Sequence, residues 1–145
     1  GLLTRQLREQ VLALFEERRR YENISVNVIS FGFKYGIPLD SDLMFDVRFL
    51  PNPFYEPELK ELTGLSKEVS GYVMKFEESQ EFLKQLENMI LFLLPQYAVE
   101  GKMQLVISIG CTGGKHRSVT VAEELGKFLS QRNYFTVINH RDMKK

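Results

Sequence analysis

The sequence predicts an α/β domain, with a mixed, partly parallel sheet flanked by helices in a layered arrangement. Three observations lead to this prediction. Strand-like apolar segments alternate along the chain with segments whose apolar residues recur at helical spacing. The segment 104–109, QLVISI, is compact and mostly apolar, as is typical of a strand in a sheet covered on both faces. A glycine-bearing loop leaves that segment and enters a helical one, forming a strand–loop–helix connection.

The composition sets the class of protein. The chain has 145 residues, of which 43% are hydrophobic and 26% charged, enough for one domain with its own core. Its longest apolar run, Met89–Leu94, is far shorter than the ~20 residues of a membrane span, and charges at positions 5, 8 and 9 interrupt any signal-peptide core. The single cysteine, Cys111, has no partner for an internal disulfide. We therefore expect a cytoplasmic, soluble domain with no membrane partner.

The domain boundary is expected near residue 20. Residues 2–19 place apolar residues at helical spacing with charges between them, which predicts an amphipathic helix. Residues 1–20 are accordingly interpreted as a separate helix, and residues 21–145 as a single α/β domain.

Two strands are predicted next. Residues 24–31 alternate apolar and polar side chains before becoming mostly apolar, and a glycine-bounded loop separates them from a second strand at about 43–50. A proline loop ends that strand, because proline is excluded from a helix interior and from a central strand; its prolines are Pro51, Pro53 and Pro57.

The second half of the chain alternates helices with strands. Residues 79–94 predict a well-buried helix that stops at Pro95. The strand 104–109 follows, then a helix over about 115–131 and a last strand over 134–139.

The segment 109–119, IGCTGGKHRSV, is the richest in chemistry. A helix that begins after a strand presents free backbone N–H groups and a partial positive charge, which together favour an anion. Glycines let a ligand approach the backbone closely, and hydroxyl and cationic side chains are phosphate donors. The sequence therefore predicts a phosphate site formed by Thr112, Gly113, Gly114, Lys115, His116, Arg117 and Ser118. It is not a Walker A loop, because His116 follows Lys115 where Ser or Thr is required.

The same segment allows a catalytic alternative. Cys111, Arg117 and Ser118 satisfy the C-x5-R-S pattern of cysteine-dependent phosphatases, in which a thiolate attacks phosphorus. The positive helix N-terminus and neighbouring cations would favour such a thiolate. Asp46 and Asp142 are the candidates for the acid that protonates a leaving group. A metal site is not expected, since Cys111 and the two histidines have neither the number nor the spacing of zinc ligands.

Four ordered segments resemble the C-terminal domain of the RapZ/YvcJ family, bacterial nucleotide-binding regulators also called RNase adapter proteins. They are ISFGFKYGIP at 29–38, FDVRFLPNP at 45–53, TGL at 63–65 and IGCTGGKHRSV at 109–119. The resemblance implies that residues 21–145 form a single ligand-sensing, regulatory domain for a phosphorylated sugar or amino sugar, which is not itself an enzyme. Residues 1–20 would then be a linking or capping helix for this domain. It also implies a homo-oligomer, with small RNA and a ribonuclease or other regulatory protein as partners. No cofactor is expected here, because ATP or GTP belongs to the family's N-terminal P-loop domain, whose Walker A motif this sequence lacks.

One departure from the family concerns the proline loop. Phe54 follows Asn52 and Pro53 where the RNase adapter branch has histidine. If that histidine helps to bind sugar or RNA, this protein recognises its ligand differently or lacks the RNA role. Other polar residues are predicted to support the site. Lys34 lies in the first glycine loop, Asp46 and Arg48 lie two apart at the second strand, and Asn52 follows it.

Charge is unevenly distributed along a chain with zero formal net charge. Residues 38–100 carry twelve acids against five bases, and residues 101–145 carry eight bases against three acids. A basic segment of this kind favours an anionic partner such as RNA. The candidate RNA contacts are Arg132, Arg141, Lys144 and Lys145, with the run Arg18–Arg20 as an addition. A solvated surface with no nucleic-acid role is the alternative interpretation.

Overall fold

A computed structural model describes residues 2–145, with side chains described for residues 4–14 and 24–145. The helices are α1 (Leu2–Asn23), α2 (Lys67–Met74), α3 (Glu77–Glu100) and α4 (Arg117–Gln131). The strands are β1 (Ser25–Gly32), β2 (Leu43–Asp46), β3 (Gln104–Cys111) and β4 (Thr136–His140). Single 3-10 turns lie at Phe33–Tyr35 and Pro53–Tyr55.

The four strands form one sheet in the order β2-β3-β1-β4, and every pair is parallel. The prediction of an α/β domain is confirmed, with parallel pairing extending to the whole sheet rather than to part of it. Antiparallel neighbours are usually joined by short hairpins, whereas the shortest connection here, 33–42, has ten residues. Two of the three connections, β1 to β2 and β3 to β4, cross to a non-adjacent position in the sheet, whereas β2 and β3 are neighbours joined by the long segment 47–103.

The core lies between the helices and one face of the sheet. Val26 and Val28 of β1 point to this face beside Leu105, Ile107 and Ile109 of β3, and all five are buried. On the other face Val106 is half-buried, Met44 is 38% exposed and Val137 is 48% exposed. The full burial predicted for 104–109 is therefore wrong on this second face at the exposed Gln104 and the half-buried Val106, although Ser108 on the same face is buried.

Several predicted element boundaries are wrong. Helix α3 continues through Pro95 to Glu100, although proline removes one backbone hydrogen bond. Leu94 and Ala98 are buried on either side of it, and their packing offsets this loss. The helix ends instead at Gly101, whose φ of 100° forms a left-handed cap.

Two further corrections concern shorter elements. Strand β2 ends at Asp46, four residues before the predicted end, because Leu50 N–H turns back to the Val47 carbonyl. Helix α2 was not predicted, although the Ser66 side chain caps it by accepting from Val69 N–H. Its eight residues are too few to show a clear helical period.

Helix α1 extends four residues beyond its predicted end and packs against α3. Its apolar residues Leu7, Val11 and Leu14 are exposed, so the amphipathic pattern is not used for burial within the described chain. The side chains of Arg18–Arg20 lie outside the described residues.

Candidate functional site

Loops that follow the strands meet at the carboxyl edge of the sheet, where open parallel sheets usually bind ligands. Three of them surround a pocket of about 410 Å³: the residues after β1, those after β2, and the loop 111–118, called the glycine loop below. The pocket is lined by Lys34, Asn52, Phe54, Tyr55, Lys60, Glu61, Cys111, Thr112, Gly113, Lys115, His116 and Arg117.

Five of the seven residues predicted to bind phosphate line this pocket: Thr112, Gly113, Lys115, His116 and Arg117. The other two support the loop from behind. Gly114 has a φ of 76°, a conformation that favours glycine, and Ser118 is fully buried at the start of α4. Sequence reasoning thus located the segment, and the fold decides which of its residues face the cavity.

The first turn of α4 opens onto the pocket without a competing group. His116, its N-cap residue, makes no side-chain capping hydrogen bond, and the turn contains no acidic residue. Uncapped N–H groups and the helix dipole favour an anion at this position.

Arg117 is a buried cation at this helix N-terminus, 5% exposed. Its guanidinium donates from one nitrogen to the Arg48 and Leu50 carbonyls, at 2.6 and 3.1 Å, and from another to Thr112 Oγ1 at 3.4 Å. Its Nε is buried and has no hydrogen-bond partner among the described residues. An unpaired buried donor of a charged group is costly, so an acceptor in the pocket would be favoured.

Cys111 lies at the base of the pocket and is nearly buried. Its sulfur accepts from Gly114 N–H at 3.3 Å and lies 3.1 Å from Ser118 Oγ. These contacts fix the curvature of the glycine loop around the sulfur.

His116 turns its ring away from the loop and towards the segment before α2. Its Nε2 lies 2.7 Å from the Leu62 carbonyl, which makes Nε2–H the donor. Burial lowers the pKa of His116 and the cations Lys115 and Arg117 lower it further, against the opposing effect of the Leu62 and Lys60 carbonyls. The His116 ring is therefore neutral at pH 7.

The TGL segment packs against the same loop. Gly64 N–H donates to the Lys115 carbonyl at 2.8 Å, and a methyl group on Gly64 would lie 2.6 Å from the His116 carbonyl oxygen. Only glycine permits this approach, so the segment positions the start of α4 from outside the pocket.

The predicted supporting residues divide into two groups. Lys34 and Asn52 line the pocket, and the Asn52 side chain also caps the 3-10 turn by accepting from Phe54 N–H at 3.1 Å. Asp46 and Arg48 do not line it. They form a two-pronged ion pair with distances of 2.6–3.1 Å, and the bonds from Arg48 lower the pKa of Asp46.

Four pocket residues were not predicted as site residues: Phe54, Tyr55, Lys60 and Glu61. Lys60 Nζ lies 4.7 Å from the centre of the Phe54 ring, so a cation and an aromatic face form one wall together. The sequence signal for them was the Asn52–Pro53 turn, which directs the following residues back across the glycine loop.

The candidate RNA contacts are not brought to one place. Arg132 follows α4 and stacks on Phe128, with its guanidinium carbon 3.7 Å from the ring centre. The residues of the C-terminal segment, 141–145, lie beyond the other end of that helix, whose fifteen residues span about 22 Å. Arg141 and Lys145 both pair with the buried Asp142, at 2.8 Å each, and Lys144 is exposed.

Across residues 2–145, no helix combines the length and apolar character that crossing a bilayer requires. Among the side chains described for residues 4–14 and 24–145, no three His, Cys, Asp or Glu residues are grouped as metal ligands.

Comparison with known proteins identifies the family. The RapZ C-terminal domain family matches residues 24–144. The chain belongs to this family. The resemblance carried by the four sequence segments is thereby confirmed, and the match ends within the basic segment that follows β4.

This RapZ C-terminal domain is similar to proteins named as nucleotide-binding proteins. It is 57% identical over 144 residues to one from Caldicellulosiruptor saccharolyticus, covering 99% of this chain and 49% of that protein. It is 56% identical over 143 residues to one from Thermoanaerobacter pseudethanolicus (99% and 50%), and 57% identical over 144 residues to one from Bacillus cytotoxicus (99% and 48%). The chain thus spans about half the length of the curated relatives it matches.

Proposed function

We propose that this domain is the ligand-sensing part of a RapZ-like regulatory adapter and binds a phosphorylated sugar or amino sugar on the glycine loop. The phosphoryl group would occupy the N-terminus of α4. The observation that carries the proposal is Arg117, a buried cation in the pocket wall whose Nε has no partner in the described chain. A phosphoryl oxygen is the acceptor that such a guanidinium matches best.

The surroundings of the pocket support a ligand with both an anionic and a sugar part. Lys34, Lys60 and Lys115 add positive charge around the Arg117 end. Phe54 and Tyr55 offer aromatic faces, and Asn52 and Glu61 offer hydrogen-bond acceptors for hydroxyl groups. The volume of about 410 Å³ suits a small phosphorylated molecule.

Thermal unfolding of the domain with a panel of ligands tests this proposal. Glucosamine 6-phosphate and glucose 6-phosphate should each raise the melting temperature. At a concentration one hundred times its Kd, either ligand should raise it by about 5–10 °C. Unphosphorylated glucosamine should have no effect. Arg117→Ala should abolish the shift, whereas Arg132→Ala, which removes an arginine at the far end of α4, should retain it. A flat response of the unmutated domain across the panel would refute the proposal.

The phosphatase alternative is supported by the contacts of Cys111 with Ser118 and Gly114, which would also suit a thiolate. The candidate acids argue against it. Neither Asp46 nor Asp142 lines the pocket, and both have lowered pKa values, so both are ionised at neutral pH and cannot protonate a leaving group. The geometry therefore favours binding over catalysis.

RNA binding is a second candidate, favoured by the surface next to the C-terminal segment. Lys34 Nζ and Lys145 Nζ lie 5.1 and 4.9 Å from the centre of the exposed Tyr35 ring, so two cations flank one aromatic face. A gel shift with a structured small RNA should show a complex that weakens as salt increases. Replacing Lys144 and Lys145 by alanine, which keeps the buried Asp142, should weaken it for all sequences alike, because phosphate contacts do not read bases. Absence of a complex at low salt and micromolar protein would exclude this candidate for the domain.

The role of the whole protein extends the proposal. The relatives are named for nucleotide binding and are about twice as long as this chain. We propose that ATP or GTP binds to the other half of such a protein. We also propose that the whole adapter is a cytoplasmic homo-oligomer with a ribonuclease as its partner.

A further inference from the structure

The C-terminal segment packs beneath the pocket through one buried carboxylate. Asp142 is 0% exposed, and its Oδ2 accepts from Gly32 N–H at 2.8 Å. Arg141 and Lys145 pair with the same carboxylate on its outer side. Asp142 does not line the pocket, so it lies one layer behind the groups that would touch a ligand.

Between Asp142 and the glycine loop lies the backbone of Gly32, in a contact that only glycines permit. A methyl group on Gly32 would lie 2.5 Å from the Gly113 carbonyl carbon. One on Gly114 would lie 2.6 Å from Gly32 N and 3.0 Å from Asp142 Cβ. Asp142, Gly32 and the pair Gly113–Gly114 are therefore stacked in direct contact, and a displacement of Gly32 displaces the glycine loop.

The same carboxylate restrains the loop that carries Lys34. Lys34 N–H donates to the Thr112 carbonyl at 3.3 Å, and the Arg141 guanidinium donates to the Gly36 carbonyl at 2.5 Å. Because Arg141 is itself fixed by Asp142, residues 32–36 are anchored at both ends by the C-terminal segment.

We propose that Asp142 is a positioning residue for the phosphoanion site: it fixes Gly32 and, through Gly32, the glycine loop and Lys34. The inference rests on the proposed function. Affinity for an anion depends on donors that are already in place before the ligand arrives. Loss of the Asp142 carboxylate would free the loop while leaving every pocket residue unchanged.

Asp142→Ala tests this positioning role, with Asp42→Ala as the matched control. Asp42 also accepts a backbone N–H, from Val106 at 2.8 Å, and pairs with a lysine, but it lies at the other edge of the sheet. Two quantities are measured on the full chain: amide hydrogen exchange without ligand, and the Kd for glucosamine 6-phosphate. Asp142→Ala should speed exchange at residues 32–36 and 112–114 and raise the Kd about tenfold or more. Asp42→Ala should change neither.

Asp142→Asn, which keeps an oxygen for Gly32 N–H, should retain most of the exchange protection and guards against an unfolded Ala variant. Unchanged local exchange and an unchanged Kd in Asp142→Ala would overturn the inference. An increase in exchange at residues 32–36 and 112–114 that is no larger than the increase across β1 and β3 would also overturn it, because Asp142 would then act only as a general stabiliser. If the unmutated chain does not bind the probe, the proposed function fails in this form, and the exchange measurement still decides whether Asp142 fixes the loop.

Discussion

The two ends of the sheet contain the same local chemistry with different consequences. At the amino end Asp42 accepts Val106 N–H and pairs with Lys102 at 2.7 Å, and its side chain is 27% exposed. At the carboxyl end Asp142 accepts Gly32 N–H and pairs with two cations, but it is fully buried against glycines. The first carboxylate ties two strand starts together, whereas the second lies within a stack that shapes a pocket. Burial and close contact, more than hydrogen-bond number, distinguish the two.

The largest effect is expected from filling the glycine contact at the carboxyl end. Gly32→Ala should destabilise the domain by about 2–3 kcal/mol, because its methyl group meets backbone atoms that cannot move aside, and should abolish anion binding. Chemical denaturation and ligand titration measure both.

Gly71→Ala is the matched substitution away from the site. Nothing lies within 4 Å of its added methyl group, and Gly71 lies inside α2, so stability should rise by about 0.5–1 kcal/mol. Equal effects of the two substitutions would show that the glycine stack carries no special constraint.

The next effect is the pH dependence of stability. Burial raises the pKa of Asp142, but bonds from Arg141, Gly32 and Lys145 outweigh it and lower the pKa to about 2 from the ordinary 3.8. A depressed carboxylate pKa stabilises the fold above the unfolded-state value, and this contribution disappears as the pH falls through the folded-state value. Asp142 should therefore contribute about 2 kcal/mol at pH 7, lost between about pH 4 and pH 2.

Denaturation of Asp142→Asn and Asp42→Asn across pH 2–7 measures this contribution. Asp142→Asn should be less stable than the unmutated chain at pH 7 and should approach it near pH 2. Burial raises the pKa of Asp42, but bonds from Lys102 and from Val106 N–H outweigh this effect and lower it. Because the Asp42 carboxylate is more exposed than that of Asp142, the stability of Asp42→Asn should differ less from that of the unmutated chain. A larger pH-dependent loss of stability in Asp42→Asn than in Asp142→Asn would contradict the greater role given to the buried carboxylate.

The smallest effect is expected at the sulfur. Cys111→Ser should cost about 1 kcal/mol of stability and leave the Kd for glucosamine 6-phosphate within about threefold, because the account gives the thiol a supporting role. The unmutated domain should not hydrolyse an aryl phosphate at mildly acidic pH. Turnover that disappears in Cys111→Ser would establish the phosphatase alternative instead.

The carboxyl end also shows what the sequence can and cannot reveal. The glycine loop was predictable as a candidate site because its signals are local: an apolar strand, glycines, donors and a helix start within eleven residues. Phe54, Lys60 and Glu61 were not, because only the fold brings the proline loop across the glycine loop. The basic C-terminal segment was interpreted from charge, which gives no sign that Asp142 would be buried beneath Gly32.

The same division applies to the fold. Periodicity predicted the succession of strands and long helices along the chain, since each periodic pattern extends over many residues. The rule that proline ends a helix failed at Pro95, where packing of Leu94 and Ala98 outweighs that local preference, and periodicity missed α2, which is too short to show a period.

Amide chemical shifts of the ¹⁵N-labelled domain, titrated with glucosamine 6-phosphate and separately with glucosamine, test the central claim most directly. The account predicts saturable shifts at residues 112–118 and at Lys34 with the phosphorylated sugar alone. Amides near Asp42 and Lys102, at the amino end of the sheet, should remain unchanged. Equal responses to both sugars, or shifts that leave residues 112–118 unaffected, would contradict a phosphoanion site on the glycine loop.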